Sequence, residues 1–191
     1  TCALPISCML KAMEIPQPKT IFAHGWWLVG ETKMSKSLGN VVKPLQLADM
    51  YGVDAFRYFL MREMTLGHDS TYTEESFISR YNSDLANDLG NLLSRTLKMI
   101  KSYNDGKIPA PDANVSENEL RGYFDKLRSE IREKIETFKL NQAVEDIMEL
   151  VRATNRYIEK NKPWSLAKEG KKEELDDVLY NSAETLRLIS I

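Results

Sequence analysis

The chain has 191 residues, of which 42% are hydrophobic and 28% charged; this allows one ordinary domain or two small ones and excludes both a mini-protein and a disordered chain. Its 26 basic and 28 acidic residues leave a net charge of -2, so no global positive field marks a nucleic-acid partner, and any anion or RNA binding must come from local groups. No apolar run approaches the ~20 residues needed to cross a bilayer, and the two cysteines, Cys2 and Cys8, show neither metal-ligand spacing nor the number for a disulfide framework, which fits a reducing cytoplasm. No initiator Met, signal or transit pattern opens the sequence, and it stops within the apolar-periodic run 186–191. Both ends therefore read as cuts in a longer protein.

The first forty residues carry no helical stripe and are expected to be extended and loop structure. One or two strands are expected in residues 20–29, where aromatic and β-branched residues concentrate. Gly30 and Gly39 bracket a charged loop, Glu31-Thr32-Lys33-Met34-Ser35-Lys36-Ser37. Pro44 suits a helix N1 position, Gly52 a C′ position, and Asp54 the cap of a second helix carrying Phe56, Tyr58, Phe59, Leu60 and Met64. After the polar turn Gly67-His68-Asp69-Ser70, Thr73 with Glu74 and Glu75 opens a long helix. Its stripe is Phe77, Tyr81, Leu85, Leu89, Leu92, Thr96 and Ile100.

Residues 104–115, with Gly106, Pro109 and Pro111, form the clearest loop. Ser116 and Glu119 make a capping box for a helix carrying Leu120, Phe124, Leu127, Ile131, Ile135 and Phe138. Another helix follows over about 140–160, with Val144, Ile147, Val151 and Ile158. Lys162-Pro163-Trp164 stops it, and a last helix starts near Lys172. The expected fold is mainly α, with a C-terminal helical bundle whose short connections favour antiparallel neighbours.

The loop Lys33-Met34-Ser35-Lys36-Ser37 is the sharpest chemical signal. Two lysines three apart with interleaved hydroxyls offer several donors to a polyphosphate, and Gly39 lets the backbone approach. A solvated charged loop between a strand and a helix is the plain alternative. At average residue frequencies the pentapeptide arises by chance in such a chain on the order of once in ten thousand.

This pentapeptide reproduces a signature of class I aminoacyl-tRNA synthetases. Its continuation Leu38-Gly39-Asn40-Val41-Val42 matches the subgroup for methionine, isoleucine, valine and leucine. Longer stretches narrow the choice: Ala23-His24-Gly25-Trp26-Trp27, then residues 51–60, and above all residues 82–95, Asn-Ser-Asp-Leu-Ala-Asn-Asp-Leu-Gly-Asn-Leu-Leu-Ser-Arg. Over about residues 8–191 the sequence resembles the bacterial methionyl-tRNA synthetases. The resemblance implies three parts. Residues 1–43 would be the C-terminal edge of a Rossmann-like α/β catalytic domain, residues 44–73 a stem-contact connector, and residues 74–191 a truncated anticodon-binding bundle. Residues 1–7 depart from the family pattern and read as foreign.

In that family the loop closes over ATP while methionine attacks the α-phosphorus, giving methionyl adenylate and pyrophosphate, and the methionyl group then passes to tRNA(Met). The resemblance makes Lys36 the principal cation on the pyrophosphate, assisted by Lys33 and by the donors of Met34, Ser35 and Ser37. A compact charge on a flexible stem suits a closing loop. ATP would enter with Mg2+. The family's His-Ile-Gly-His-type motif, zinc-knuckle cysteines and methionine pocket do not occur in the sequence. Any zinc would therefore sit in a missing part of the parent, none is expected here, and this piece alone is expected to be inactive.

Asn87, Asn91 and Arg95 are spaced by four, so on a helix they form one row away from the Leu85/Leu89/Leu92 stripe. Amides and an arginine on an exposed face need no function. In the family, however, residues matching Asn91 and Arg95 contact the CAU anticodon, with Asn87 a weaker member of the row, and amide and guanidinium groups suit base-edge readout. The Trp of the family's matching Pro-Trp pair stacks on an anticodon base, which casts Pro163 and Trp164 in that part. Trp26 and Trp27 read as packing aromatics, and His24 and His68 receive no catalytic role. The scattered cations, Lys98, Lys101, Arg152 and Arg156 among them, read as solvated faces. Two alternatives stand beside this reading: a class I synthetase of the Ile/Val/Leu type, and a non-catalytic tRNA-binding helical module.

Overall fold

The computed structural model describes residues 3–30, 32–35, 37, 39–110 and 119–190. The chain is mostly helical with one small three-stranded sheet. It opens with helix α1 (Ala3–Ala12), where loop structure was expected. Leu, Met, Ala and Lys dominate this segment, and Pro5 falls in the first turn, where a missing N–H leaves no hydrogen bond unmade. The helix runs without a break through residues 7 and 8. Within residues 20–29 only Trp27–Val29 forms a strand, β1.

Strand β1 pairs antiparallel with β2 (Thr32–Lys33), Leu28 opposite Lys33, through a turn at Gly30. On its other edge it pairs in parallel with β3 (Ser70–Tyr72), Trp27 opposite Ser70 and Val29 opposite Tyr72. Strand β3 begins where a polar turn was expected, because three residues are too few to show an alternating pattern. The chain is tight at this edge: a Cβ on Gly25 would stand 2.0 Å from the His68 carbonyl oxygen. The Trp26 N–H donates to Asp69 Oδ1 at 2.7 Å, and the Ser70 N–H to the Trp26 carbonyl at 2.9 Å.

Between β1 and β3 lie α2 (Pro44–Tyr51) and α3 (Val53–Glu63), with Pro44 at the first turn as expected. Gly52, at φ 89°, both closes α2 and opens α3. Asp54 thus lies inside the first turn of α3 and does not cap it. Phe59 of α3, Tyr72 and Phe77 form a buried aromatic cluster, joined by Trp27, Met34, Val42 and Tyr51. Phe59 meets Phe77 at 5.2 Å and Tyr72 edge-on at 5.8 Å, the arrangements that aromatic quadrupoles favour.

Thr73 caps α4 (Glu74–Arg80): its hydroxyl accepts the Ser76 N–H at 3.0 Å, and Ser76 Oγ accepts the Thr73 N–H. The helix then continues with i→i+5 bonding over Tyr81–Gly90 before α5 (Asn91–Tyr103). A Cβ on Gly90 would stand 3.0 Å from the Leu85 oxygen, five residues back. The wider turn rotates the expected stripe. Tyr81 is 36% exposed, while Asp84 is buried at 4%. Leu92, Thr96 and Ile100 are buried as expected.

The bundle is completed by α6 (Glu119–Glu136), α7 (Leu140–Asn161), α8 (Pro163–Glu169) and α9 (Lys172–Ile189). The Ser116 capping box lies outside the described residues. Helix α7 is central: Met148, Val151 and Ile158 pack with Leu92, while Ala153 and Tyr157 pack with Leu120 and Val178. Ile135 is exposed, and Phe138 follows α6 at φ 59° to meet Phe22 at 5.0 Å. Helix α8 was not foreseen. Lys162 turns left-handed at φ 46°, and Pro163 then restarts a helix at N1.

The Asp84 carboxylate joins these parts. It accepts hydrogen bonds from the Tyr58 hydroxyl at 2.7 Å and the Ser83 hydroxyl at 2.9 Å, with Arg80 at 3.5 Å and Arg62 at 3.6 Å. Arg80 also binds Glu63 at 2.7 Å, and Arg62 pairs with Glu145 of α7. Burial first, and the bond to Asp84 second, push the Tyr58 hydroxyl far above its ordinary 10.0.

Replacing Asp84 by Ala deprives two arginines of an ion-pair partner and a phenol of its acceptor, and should cost about 3–5 kcal/mol of unfolding free energy in a urea titration. Tyr58→Phe should cost about 1 kcal/mol, with the double variant less than additive. Because the folded state holds the Tyr58 proton more tightly, the stability it adds is complete below pH 10 and is lost as pH rises toward the folded value. Tyr58→Phe should accordingly flatten the alkaline fall in melting temperature.

Candidate functional site

Two places gather the sequence-predicted residues. The first is the loop after β2. Asn40 staples it: its Oδ1 accepts the Ser35 N–H at 2.8 Å, and its Nδ2 donates to Thr32 Oγ1 at 3.1 Å and the Lys33 carbonyl at 3.3 Å. Gly39, at φ 68°, permits the turn that brings Asn40 back. Met34 is half-buried against the aromatic cluster and anchors the loop from below. The Ser35 and Ser37 hydroxyls share a hydrogen bond at 2.7 Å. Lys33 is exposed, its ammonium 4.4 Å from the centre of the Trp26 ring, a cation–π distance. Trp26 is itself 62% exposed, whereas Trp27 packs 6.0 Å from Phe59. Lys36 lies outside the described residues.

The second place is a groove of about 340 Å³ where the turn from π to α bonding meets α7. Asn87, Asn91 and Arg95 line one wall; Asn155, Arg156 and Glu159 line the other, with Asp88 between them. The row expected from spacing is thus brought together on one cavity. Asn155 braces the helix junction by donating from Nδ2 to the Asp88 carbonyl at 3.1 Å. Its buried Oδ1 has no hydrogen-bond partner among the described residues. Arg95 donates to Glu159 at 2.5 Å. Arg152 reaches Asp88 at 3.7 Å and Glu149 at 3.1 Å, and Arg156 binds Glu149 at 2.7 Å. The Arg156 hydrogen bond, aided by Arg152 and opposed by partial burial, holds the Glu149 carboxyl below its ordinary range.

Pro163 is buried. Trp164 is half-buried against the Leu92, Met148, Val151 and Ile158 cluster and does not line the groove. Sequence reasoning missed Asn40, Asn155 and Glu159. The two α7 residues are four apart, but that spacing gains meaning only once α7 is known to pack beside Asn91. Cys8 is a free, exposed thiol, and no cluster of three or more His, Cys, Asp or Glu side chains among the described residues could hold a metal ion. Zinc therefore does not fit them. Among the described residues no helix is long and apolar enough to cross a membrane.

The chain thus combines a stapled, lysine-bearing loop beside a small sheet with an amide-lined groove on a helical bundle. In comparison with known proteins, residues 3–97 match the family model described as tRNA synthetases class I (M). The methionine–tRNA ligase of Caldanaerobacter subterraneus subsp. tengcongensis is 48% identical over 185 residues, 96% of this chain and 29% of that protein. The methionine–tRNA ligase of Lactococcus lactis subsp. lactis is 48% identical over 182 residues, 94% of this chain and 28% of that protein. The Mycobacterium tuberculosis methionyl-tRNA synthetase in complex with methionyl-adenylate superposes with a TM-score of 0.86 at 35% identity, covering 96% of this chain and 37% of that one. Its apo form gives 0.82 at 31% identity. The chain belongs to the methionyl-tRNA synthetase family. It spans less than a third of the length of the curated relatives it matches.

The staple is testable in isolation. Asn40→Ala removes the acceptor of the Ser35 N–H and two donor contacts, so hydrogen exchange at that amide should speed up. Global stability should fall by only about 1 kcal/mol, because the site is at the surface. Unchanged exchange at Ser35 would mean that Asn40 does not hold the loop.

Proposed function

We propose that these residues serve a methionine–tRNA ligase of the cytoplasm, supplying its pyrophosphate-stabilising loop and its CAU-reading surface. Residues 1–43 carry the C-terminal edge of the Rossmann-like catalytic domain, residues 44–73 the stem-contact connector, and residues 74–191 the anticodon-binding bundle. The observation that carries the reading is the convergence of Asn87, Asn91 and Arg95 on one groove with the amide of Asn155.

Methionine's carboxylate attacks the α-phosphorus of ATP, the bond to the β-phosphate oxygen breaks, and pyrophosphate leaves with the charge that Lys36 and Lys33 stabilise. ATP enters as its magnesium complex. The donors of residues 33–37, the Ser35 and Ser37 hydroxyls among them, are offered to the phosphates, with Met34 anchoring the loop on the aromatic cluster. The methionyl group then passes to a terminal hydroxyl of tRNA(Met), releasing AMP.

At the groove Arg95 exchanges Glu159 for a base edge, while Asn91, assisted by Asn87, offers a paired donor and acceptor. Pro163 fixes the start of α8 and so places Trp164, whose exposed face stacks on an anticodon base.

The test uses the enzyme at the length of its relatives. Arg95→Ala and Trp164→Ala should each lower tRNA charging by about 1–3 kcal/mol of transition-state binding, roughly five- to 150-fold, with methionine-dependent pyrophosphate exchange nearly unchanged. Lys36→Ala should instead cut the maximal rate of pyrophosphate exchange, and tRNA charging with it, while leaving the KM for methionine close to wild type. Equal losses in both assays for Arg95→Ala or Trp164→Ala would reduce that residue to a structural one.

A further inference from the structure

A second cavity, of about 210 Å³, lies on the other flank of α7, lined by Leu120, Tyr123, Ala153, Arg156, Tyr157 and Lys160. Its make-up differs from that of the first groove. Leu120 (1% exposed), Ala153 (8%) and Tyr157 (9%) form an apolar floor, and Tyr123 of α6 stands at its edge 43% exposed. Arg156 and Lys160, one turn apart on α7, bring two cations to its rim. Arg156 lines both cavities. Residues 155, 156, 159 and 160 therefore form a ridge with an amide-rich groove on one side and an aromatic, cationic pocket on the other.

We infer that this pocket is a second nucleotide subsite, which takes the loop nucleotide adjoining those read in the first groove. The inference rests on the anticodon reading of that groove. A single-stranded loop crossing α7 places a backbone phosphate over the ridge, where Arg156 can exchange Glu149 for it and Lys160 adds a second charge. The base beyond that phosphate leaves the amides of Asn87 and Asn91 behind. It meets instead an apolar floor and the face of Tyr123, the kind of platform on which any base stacks. No side-chain amide lines this pocket, so the subsite contributes affinity and register without reading the base.

The experiment titrates the 191-residue chain with two RNA stem-loops, one with a CAU anticodon and one with it altered, across a range of salt. Tyr123→Ala should weaken binding of both RNAs by the same factor, about five- to 150-fold, while Tyr123→Phe retains binding because the ring is kept. Lys160→Gln should make the slope of log K against log salt shallower by about 0.7, as loss of one contact to single-stranded phosphate requires. Neither variant should alter the ratio between CAU and altered loops, which Asn91→Ala and Arg95→Ala should collapse. If Tyr123→Ala and Lys160→Gln bind as the parent does while Asn91→Ala loses discrimination, the subsite is overturned and the anticodon reading stands. If the parent chain binds neither RNA, or binds both equally, the anticodon reading fails and the subsite with it.

Discussion

The Asp84 carboxylate is the constraint on which the arrangement of this chain depends. It is buried between three elements, and each sends it a polar partner: the Tyr58 hydroxyl and the Arg62 guanidinium from α3, the Arg80 guanidinium from α4, and the Ser83 hydroxyl from the π-bonded turns that carry it. A carboxylate removed from water is tolerable only when it is hydrogen-bonded and paired, and here two hydroxyls donate to it while two guanidinium groups stand within ion-pair distance. Arg62 extends the network to Glu145 of α7, and Glu145 and Asp88 both contact Arg152. The buried charge therefore fixes the register of α3 against the long helix and of that helix against α7. The groove between the last two inherits its shape from that register.

Neighbouring residues of α3 face different cores. Phe59 enters the aromatic cluster that includes Met34, at the base of the lysine loop, while Tyr58 packs beside Leu92 and reaches Asp84. One turn of helix thus ties the loop-bearing sheet to the bundle. Moving the sheet relative to the bundle would have to break an aromatic cluster or strip a buried charge of its donors, and either disruption costs several kcal/mol. The loop and the groove are held apart at a set distance by packing and electrostatics together.

How much of this was legible depends on whether a residue's partner lies nearby in the sequence. Thr73 as a cap, Pro44 at N1 and the start of α9 were readable because capping and proline geometry are local. The row Asn87, Asn91, Arg95 was readable because spacing by four is a property of one helix. Helix α1 was missed because its composition carries no amphipathic pattern, and β3 because its pairing with Trp27–Val29 is set by contacts forty residues away. Asp84 was missed for a deeper reason. Hydrophobic periodicity assumes α geometry and ranks Tyr81 above an aspartate for burial, but the i→i+5 turns move the inward face, and of the groups that hold Asp84 only Arg80 and Ser83 are near in sequence, while Tyr58 and Arg62 come from α3.

The same geometry bears on why those turns exist. An α-helix through residues 81–90 would carry the Leu85 and Leu89 stripe straight on, with Asp84 off the inward face and without the Tyr58 contact. Such i→i+5 turns are rare, but here they bring Asp84 under Tyr58 and the two arginines. They also set the Asp88 carbonyl where Asn155 can donate to it. The irregular segment ends at Gly90, where the Leu85 oxygen leaves little room for a side chain, and Asn91 begins regular helix on the rim of the groove. The π-bonded turns thus stand between the charged hub and the amide row, and the hydrogen bonds at both ends stabilise them.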